Sequence, residues 1–411
     1  MHKVSTFNKI SSVGLSRFTD DYTIVAEDAK DAEGLIVRSY DLHDMDFDDS
    51  LRCIARAGAG VNNIPVDECT KKGIVVFNAP GANANAVKEL VIAGMLLAAR
   101  NIPEALKWVN TLEMTDDVAK KIEKGKGQFA GTELRGKTLG VFGLGAIGVQ
   151  VANAAEKLGM KVIGYDPYMT VNSAVKLTRK IKLVTSIEGA LPECDYISLH
   201  IPAIDETKGM VNQEFLSKVK EGATLLNFAR DKLIDDDALI YALKSGKLKK
   251  YITDFTTAKL FGKEGVISIP HLGASSAEAE ENCATMAVVE MMDYLENGNI
   301  VNSVNFPNCS LGEKDEAARI SIINSNVSGM LSKITGALGD VGINVENLIN
   351  KSKGDYAYTL LEVKKDVDPK IIKSNLNVPV EFTLHFFSLC CILASIASPR
   401  SRRRVPPLTS R

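Results

Sequence analysis

The hexapeptide Gly143-Leu144-Gly145-Ala146-Ile147-Gly148 follows the apolar run TLGVF and opens the helical pattern AIGVQVANAAEKLG, which leads into a second apolar run, MKVIGYD. A strand, a glycine turn, a helix and a further strand make a βαβ unit, and that unit commits the surrounding chain to a parallel sheet covered by helices. The three glycines have separate tasks. Gly143 permits a tight turn, Gly145 lets a pyrophosphate approach the backbone, and Gly148 lets the helix lie close on the strand. The helix N-terminus offers free N–H groups and a partial positive charge to the phosphates. An acid, Asp166, ends the second strand eighteen residues after Gly148. It is placed to accept hydrogen bonds from an adenosine ribose, and its charge would repel a 2′-phosphate. The expected cofactor is therefore NAD rather than NADP.

The same alternation runs on either side of the motif. GLIV at 34–37, LRCIARA at 51–57 and GIVVF at 73–77 read as short buried parallel strands. The run 84–100, ANAVKELVIAGMLLAAR, is apolar almost all round, which suits a helix buried between two domains or two subunits. Residues 110–136, with Lys120, Lys121, Lys124 and Lys126 close together, read as a solvated surface segment. Further strands are expected at 195–200, 223–229 and 251–255, then one long helix at 277–297 closed by Gly298. An Asn/Pro/Cys/Ser-rich stretch at 302–312 reads as a linker. From Ala317 the order is strand, helix, strand, strand, helix, a split βαβ unit lacking its last strand. Beyond Val378 the pattern breaks: 382–399 carries no formal charge, and Arg400, Arg402, Arg403 and Arg404 follow. An aberrant or disordered tail is expected there, membrane contact being the competing reading.

Composition narrows the class. A chain of 411 residues exceeds one ordinary core, so two or three domains are expected. A 45% hydrophobic share beside 24% charged residues argues against a mainly disordered chain. Forty-nine basic against fifty-one acidic residues leave a net charge of −2, without the basic field of a dedicated nucleic-acid binder. The seven cysteines are scattered, odd in number and never spaced as CxxC, so neither a disulfide framework nor a zinc or other metal site is expected. The N-terminus has no apolar run of signal-peptide length. A soluble, cytoplasmic protein is the expectation.

Four features outside the glycine motif carry chemistry. Arg230 follows a buried strand, where ligands gather in open α/β sheets, and its planar fork matches a carboxylate. A surface ion pair with Asp231, Asp235 or Asp236 is the competing reading. His271, in Ile269-Pro270-His271-Leu272-Gly273-Ala274, suits proton exchange with an alcohol or carbonyl oxygen, or is a structural histidine. The loop Arg56-Ala57-Gly58-Ala59-Gly60-Val61 can present N–H groups to a carboxylate, or simply turn the chain. Arg38, closing LIVR, is a second cation at a strand end and a phosphate contact by its chemistry.

Taken together these motifs resemble the D-2-hydroxyacid dehydrogenase family, and most closely its branch acting on D-3-phosphoglycerate. The matching pieces are LIVRS at 35–39, RAGAGVNNI at 56–64, NAPGANANAVKELV at 78–91, GLGAIG at 143–148, SLHIP at 198–202, NFARDKLIDDDAL at 227–239 and PHLGAS at 270–275. The segment NSNVSGMLSKITGALGDVGINV resembles an ACT domain. The resemblance implies an α/β chain of two doubly wound, Rossmann-like lobes and a C-terminal ACT-like α+β domain. The substrate lobe would be discontinuous, 1–83 and 277–305, around an NAD lobe at 84–276. A linker at 306–316, the ACT-like domain at 317–377 and the tail at 378–411 would follow. It further implies NAD-dependent oxidation of D-3-phosphoglycerate at the entry to serine synthesis, in a homo-oligomer, with L-serine as an effector at the ACT-like domain. Arg230 and His271 would be catalytic. Arg38, Arg56, Gly58, Ala59 and Gly60 would bind substrate. Gly143, Gly145, Ala146, Ile147, Gly148, Asp166, His200, Pro202, Thr207, Ala229, Asp254, His271 and Gly273 would bind the cofactor.

The chain also departs from that pattern. The family's histidine-paired glutamate falls at Lys259, five residues after Asp254, leaving Glu264 from a shifted loop, or Lys259 or Lys263, as substitutes, or His271 to work unpaired. Ala146 and Val149 stand where arginines are common, and Ser328 where ACT domains often carry proline. Two other readings fit the same motifs: a reductase for glyoxylate, hydroxypyruvate or another 2-oxo acid, and a non-catalytic NAD-sensing binding protein.

Overall fold

The computed structural model describes residues 1–314, 318–364 and 383–387. The expected second helix after Val363 and the arginine-rich end of the tail lie outside the described residues. The chain divides into two compact units, one of Met1–Tyr294 with Ile300–Asn308, the other of Leu295–Asn299 and the chain from Cys309.

The first unit holds two parallel sheets. Strands β1 (His2–Phe7), β2 (Tyr22–Ala26), β3 (Gly34–Val37), β4 (Cys53–Arg56) and β5 (Val75–Phe77) pair in the order β2-β1-β3-β4-β5. β3 is buried at all four positions and β4 at three of four, as continuous apolar runs require in a sheet covered on both faces. The helix Ala277–Asn297 returns to this sheet: a Cβ on Gly34 would press within 2.7 Å of Met291 Sδ. Asn305 then stitches the returning chain down, accepting from Val76 N at 2.9 Å and donating to the Ile74 carbonyl at 2.9 Å. Asn305 and Phe306 are buried, so part of the stretch whose composition suggests a linker is core. The side-chain amide closes a β-edge and the Phe306 ring is fully buried, neither of which composition can report.

The second sheet comprises β6 (Thr138–Phe142), β7 (Lys161–Tyr165), β8 (Lys182–Leu183), β9 (Tyr196–Leu199), β10 (Ala223–Asn227), β11 (Leu248–Thr253) and β12 (Val266–Ser268), in the order β12-β11-β10-β9-β6-β7-β8. Its order reverses between β6 and β9, where a doubly wound sheet opens a crevice. The apolar helix Ala84–Ala99 packs on this sheet, with Gly94 against Phe228 and Ile252. Its burial thus comes from its own unit, whatever a second subunit adds.

The second unit is an antiparallel sheet of β13 (Ala318–Ser325), β14 (Val345–Lys353), β15 (Tyr356–Val363) and β16 (Thr383–Phe387), ordered β14-β15-β13-β16, with the helix Met330–Asp340. β16 pairs with β13 from Thr383 opposite Ile323 to Phe387 opposite Arg319. The missing final strand expected from the sequence is therefore present, inside the segment expected to be tail. Its apolar residues merge with an uncharged stretch lacking period two, so no strand pattern stood out.

Candidate active site

At the reversal between β6 and β9 the glycines do what their places demand. Gly143 has φ +94°, and a Cβ there would run into the His200 carbonyl oxygen at the end of β9. A Cβ on Gly148 would run into the Gly143 carbonyl oxygen, whereas nothing lies within 4 Å of one built on Gly145. Two glycines hold the turn together and the middle one leaves an open cradle. The helix Ala146–Lys157 starts there with no side-chain cap, so its first N–H groups are left to a ligand. Asp166 accepts from Leu144 N and from Tyr168 N, both at 2.8 Å, bracing the glycine loop and retaining further lone pairs.

One hollow runs from this cradle along Ala146, Ile147 and Gly148 to His200, Pro202, Ala229, Arg230, Asp254, His271 and Gly273. Thr207 is not part of its lining. The Thr207 hydroxyl donates to the Pro202 carbonyl at 2.6 Å and accepts from Ile204 N at 2.9 Å, so it shapes the loop that carries Pro202. His200 Nε2 lies 2.9 Å from Ser198 Oγ, and burial pushes its pKa down to about 4, which keeps it neutral. Asp254 is buried, burial raises its pKa to about 6, and its Oδ1 has no hydrogen-bond partner among the described residues. An open glycine cradle at one end and an unpartnered buried acceptor at the other fit an extended dinucleotide.

A second hollow adjoins the first and is lined by Arg38, Arg56, Gly58, Ala59, Gly60, Lys232, Phe255 and Glu280. Arg38 follows β3 and Arg56 ends the neighbouring β4, where Val37 and Arg56 are register partners, so one sheet end delivers both cations. Arg56 Nε donates to the Arg38 carbonyl at 3.0 Å, and burial first, then the Arg38 charge, holds its pKa below the usual range. Arg38 Nη1 is 2.6 Å from Glu280 Oε1. Ala59, Asn83, Ala203, Arg230 and His271 line both hollows.

Arg230 makes no ion pair with Asp231, Asp235 or Asp236 among the described residues; its Nη1 donates to the Ala229 carbonyl at 2.6 Å. Its guanidinium lies 5.5 Å from the Phe255 ring, which also meets the His271 ring at 4.4 Å. Desolvation, then the charges of Arg230 and Arg56, lower the His271 pKa. No carboxylate among the described residues hydrogen-bonds this imidazole. Glu264 and Lys263 are exposed, and Lys259 is spent on Asp237 at 2.8 Å. None of the three substitutes expected for the missing glutamate is joined to His271 by a hydrogen bond. Phe255 and Glu280 escaped the sequence reading. The one signal for Phe255 is its place directly after Asp254, and for Glu280 its place in the helix turn after His271.

Residues 92–273 match the family model described as D-isomer specific 2-hydroxyacid dehydrogenase, NAD binding domain. D-3-phosphoglycerate dehydrogenase of Haemophilus influenzae is 34% identical over 326 residues, covering 76% of each chain. That of Methanocaldococcus jannaschii is 35% identical over 341 residues, covering 80% of this chain, which spans 62% of that relative's length. A solved structure of NAD⁺-bound 3-phosphoglycerate dehydrogenase from Entamoeba histolytica is 29% identical with a TM-score of 0.56, covering 75% of this chain and 99% of that one. The matched stretch takes in the glycine cradle, Arg230 after β10 and His271, and the chain belongs to the D-isomer specific 2-hydroxyacid dehydrogenases.

Proposed function

We propose that this chain oxidises D-3-phosphoglycerate to 3-phosphohydroxypyruvate with NAD, and runs the reverse reduction. The observation that carries the reading is that Arg230 and His271 line both hollows, so a substrate beside the cationic one meets them at the edge of the other. Gly145 and the helix behind it would hold the pyrophosphate, Asp166 the ribose hydroxyls and Asp254 the carboxamide. NAD supplies the hydride acceptor. Arg230 holds the substrate carboxylate and polarises the C2 oxygen. His271, neutral through its lowered pKa, takes the hydroxyl proton as hydride leaves C2. Arg56 with Ala59 and Gly60 steadies the carboxylate end, and Arg38 faces the phosphate. The relatives' names support the phosphorylated substrate. With this reading go a homo-oligomer, an ACT-like second unit that takes L-serine, and a cytoplasmic location. No helix among the described residues is long and apolar enough to cross a membrane.

The test is NADH oxidation with 3-phosphohydroxypyruvate beside hydroxypyruvate and glyoxylate. A higher kcat/KM for the phosphorylated acid supports the reading. Equal or better turnover of glyoxylate overturns the substrate assignment, and NADH binding without any turnover makes the chain a binding protein.

A further inference from the structure

Arg38 is the cation best placed for a substrate phosphate, yet its guanidinium is engaged: Nη1 lies 2.6 Å from Glu280 Oε1. Glu280 belongs to the first turn of the helix Ala277–Asn297 and lines the same hollow as Arg38 and Arg56. The two partners are anchored differently. The main chain beside Arg38 is pinned by Arg56 Nε at 3.0 Å on the Arg38 carbonyl. The Glu280 side chain is 44% exposed, has no other ion pair among the described residues, and can swing into water by a change of rotamer.

We propose that Glu280 is a gate on Arg38, a built-in anion that occupies the guanidinium until a phosphate displaces it and so tempers the binding of phosphorylated substrate. A carboxylate carries one charge, while a phosphate monoester carries about −1.5 to −2 and three acceptor oxygens. The phosphate therefore outcompetes Glu280 for the guanidinium, and a substrate with a hydroxyl in that place does not. In the non-phosphorylated case the ion pair stays closed and Arg38 contributes nothing to binding. Glu280 thus lowers the hollow's appetite for small anions in general and makes opening conditional on a dianion. This rests on the proposed substrate, but the competition between Glu280 and phosphate for Arg38 can be read without turnover. Were Glu280 instead a brace that aims Arg38 at the phosphate, its removal would act in the opposite direction.

The experiment uses the full chain as wild type, E280Q and the double variant R38A/E280Q. Calorimetric titration with inorganic phosphate is expected to show E280Q binding about fivefold tighter than wild type, the size of a strong exposed ion pair. The gain should vanish in R38A/E280Q. In steady state with NADH, the ratio of KM for hydroxypyruvate to KM for 3-phosphohydroxypyruvate should rise about fivefold in E280Q. E280A should move both quantities the same way, which covers a failure of E280Q to fold. Weaker phosphate binding by E280Q, or a gain that survives loss of Arg38, overturns the gate. Absence of turnover on both acids would remove the proposed function, and the phosphate titration would still decide the role of Glu280.

Discussion

The ring of Phe255 lies 4.4 Å from that of His271, tilted by 51°, and the guanidinium of Arg230 lies 5.5 Å from the same Phe255 ring. An aromatic side chain thus touches both groups proposed to act on C2. His271 has no carboxylate partner among the described residues, so ring contact takes over part of its orientation.

This arrangement fixes a pH dependence. Desolvation and two nearby cations favour the neutral imidazole, so its pKa lies below the ordinary 6.5. A base that is neutral over a wider range keeps oxidation running to lower pH. The acid limb of kcat/KM for 3-phosphoglycerate should therefore fall below 6.5. Phe255→Leu should lower kcat about tenfold by loosening the imidazole, and should move the limb back up as water enters. A limb at or above about pH 7 would mean that a carboxylate does reach His271.

The glycine motif predicts two unlike outcomes from the same substitution. Gly148→Ala drives a Cβ into the Gly143 carbonyl and should cost about 1–3 kcal/mol of stability, seen as a lower Tm. Gly145→Ala meets no protein atom within 4 Å, so the melt should stay near wild type. Its methyl group would occupy the cradle instead, weakening NADH binding about tenfold in a fluorescence titration. Equal melting losses at both positions would contradict the assignment of roles.

Much of this site was legible because backbone geometry restricts residue choice. Gly143, Gly148 and Asp166 serve the turn itself, so spacing alone exposes them, and Arg38, Arg56 and Arg230 close apolar runs at predictable strand ends. Other features depend on what meets across space. Phe255 is one apolar residue after an acid, and nothing local says that His271 and Arg230 share its ring. Glu280 reads as an acid suited to a helix's first turn until the fold brings Arg38 to 2.6 Å. β16 was hidden for the converse reason, since its residues sit in a uniformly uncharged run with no alternation to mark a strand. Thr207 lies in the right loop, but its hydroxyl is used within that loop.

In the second unit, Arg319 is 1% exposed and fully employed. Its Nε donates to Glu362 Oε1 at 2.8 Å, Nη1 to the carbonyls of Asn297 and Gly312, and Nη2 to those of Leu311 and Glu313. Arg319→Met would leave Glu362 buried beside Asn347 alone and strand the carbonyls. A loss of about 3–5 kcal/mol is expected in urea unfolding followed on this unit. A loss below about 1 kcal/mol would show that water replaces the guanidinium freely.

Glu290 is buried, accepts from Asn302 Nδ2 at 2.6 Å, and burial raises its pKa from 4.5 to about 8. The native chain holds a proton that the unfolded chain gives up between those values, so this group's stabilising contribution is full below pH 4.5 and is lost as pH rises to about 8. Glu290→Gln should remove that slope. At pH 9 it should raise Tm by about 2–4 °C, with a smaller effect at pH 5. A parallel shift at both pH values would contradict a titrating carboxyl.

The most direct test of the central claim is the fate of a labelled hydride. 3-Phosphohydroxypyruvate is reduced with NADH deuterated at the transferring position, and the product is examined for label at C2 and for configuration. D-3-phosphoglycerate carrying one deuterium at C2, formed by the wild-type chain and lost in His271→Ala, is the predicted result. Product of L configuration, or product without deuterium at C2, would contradict it.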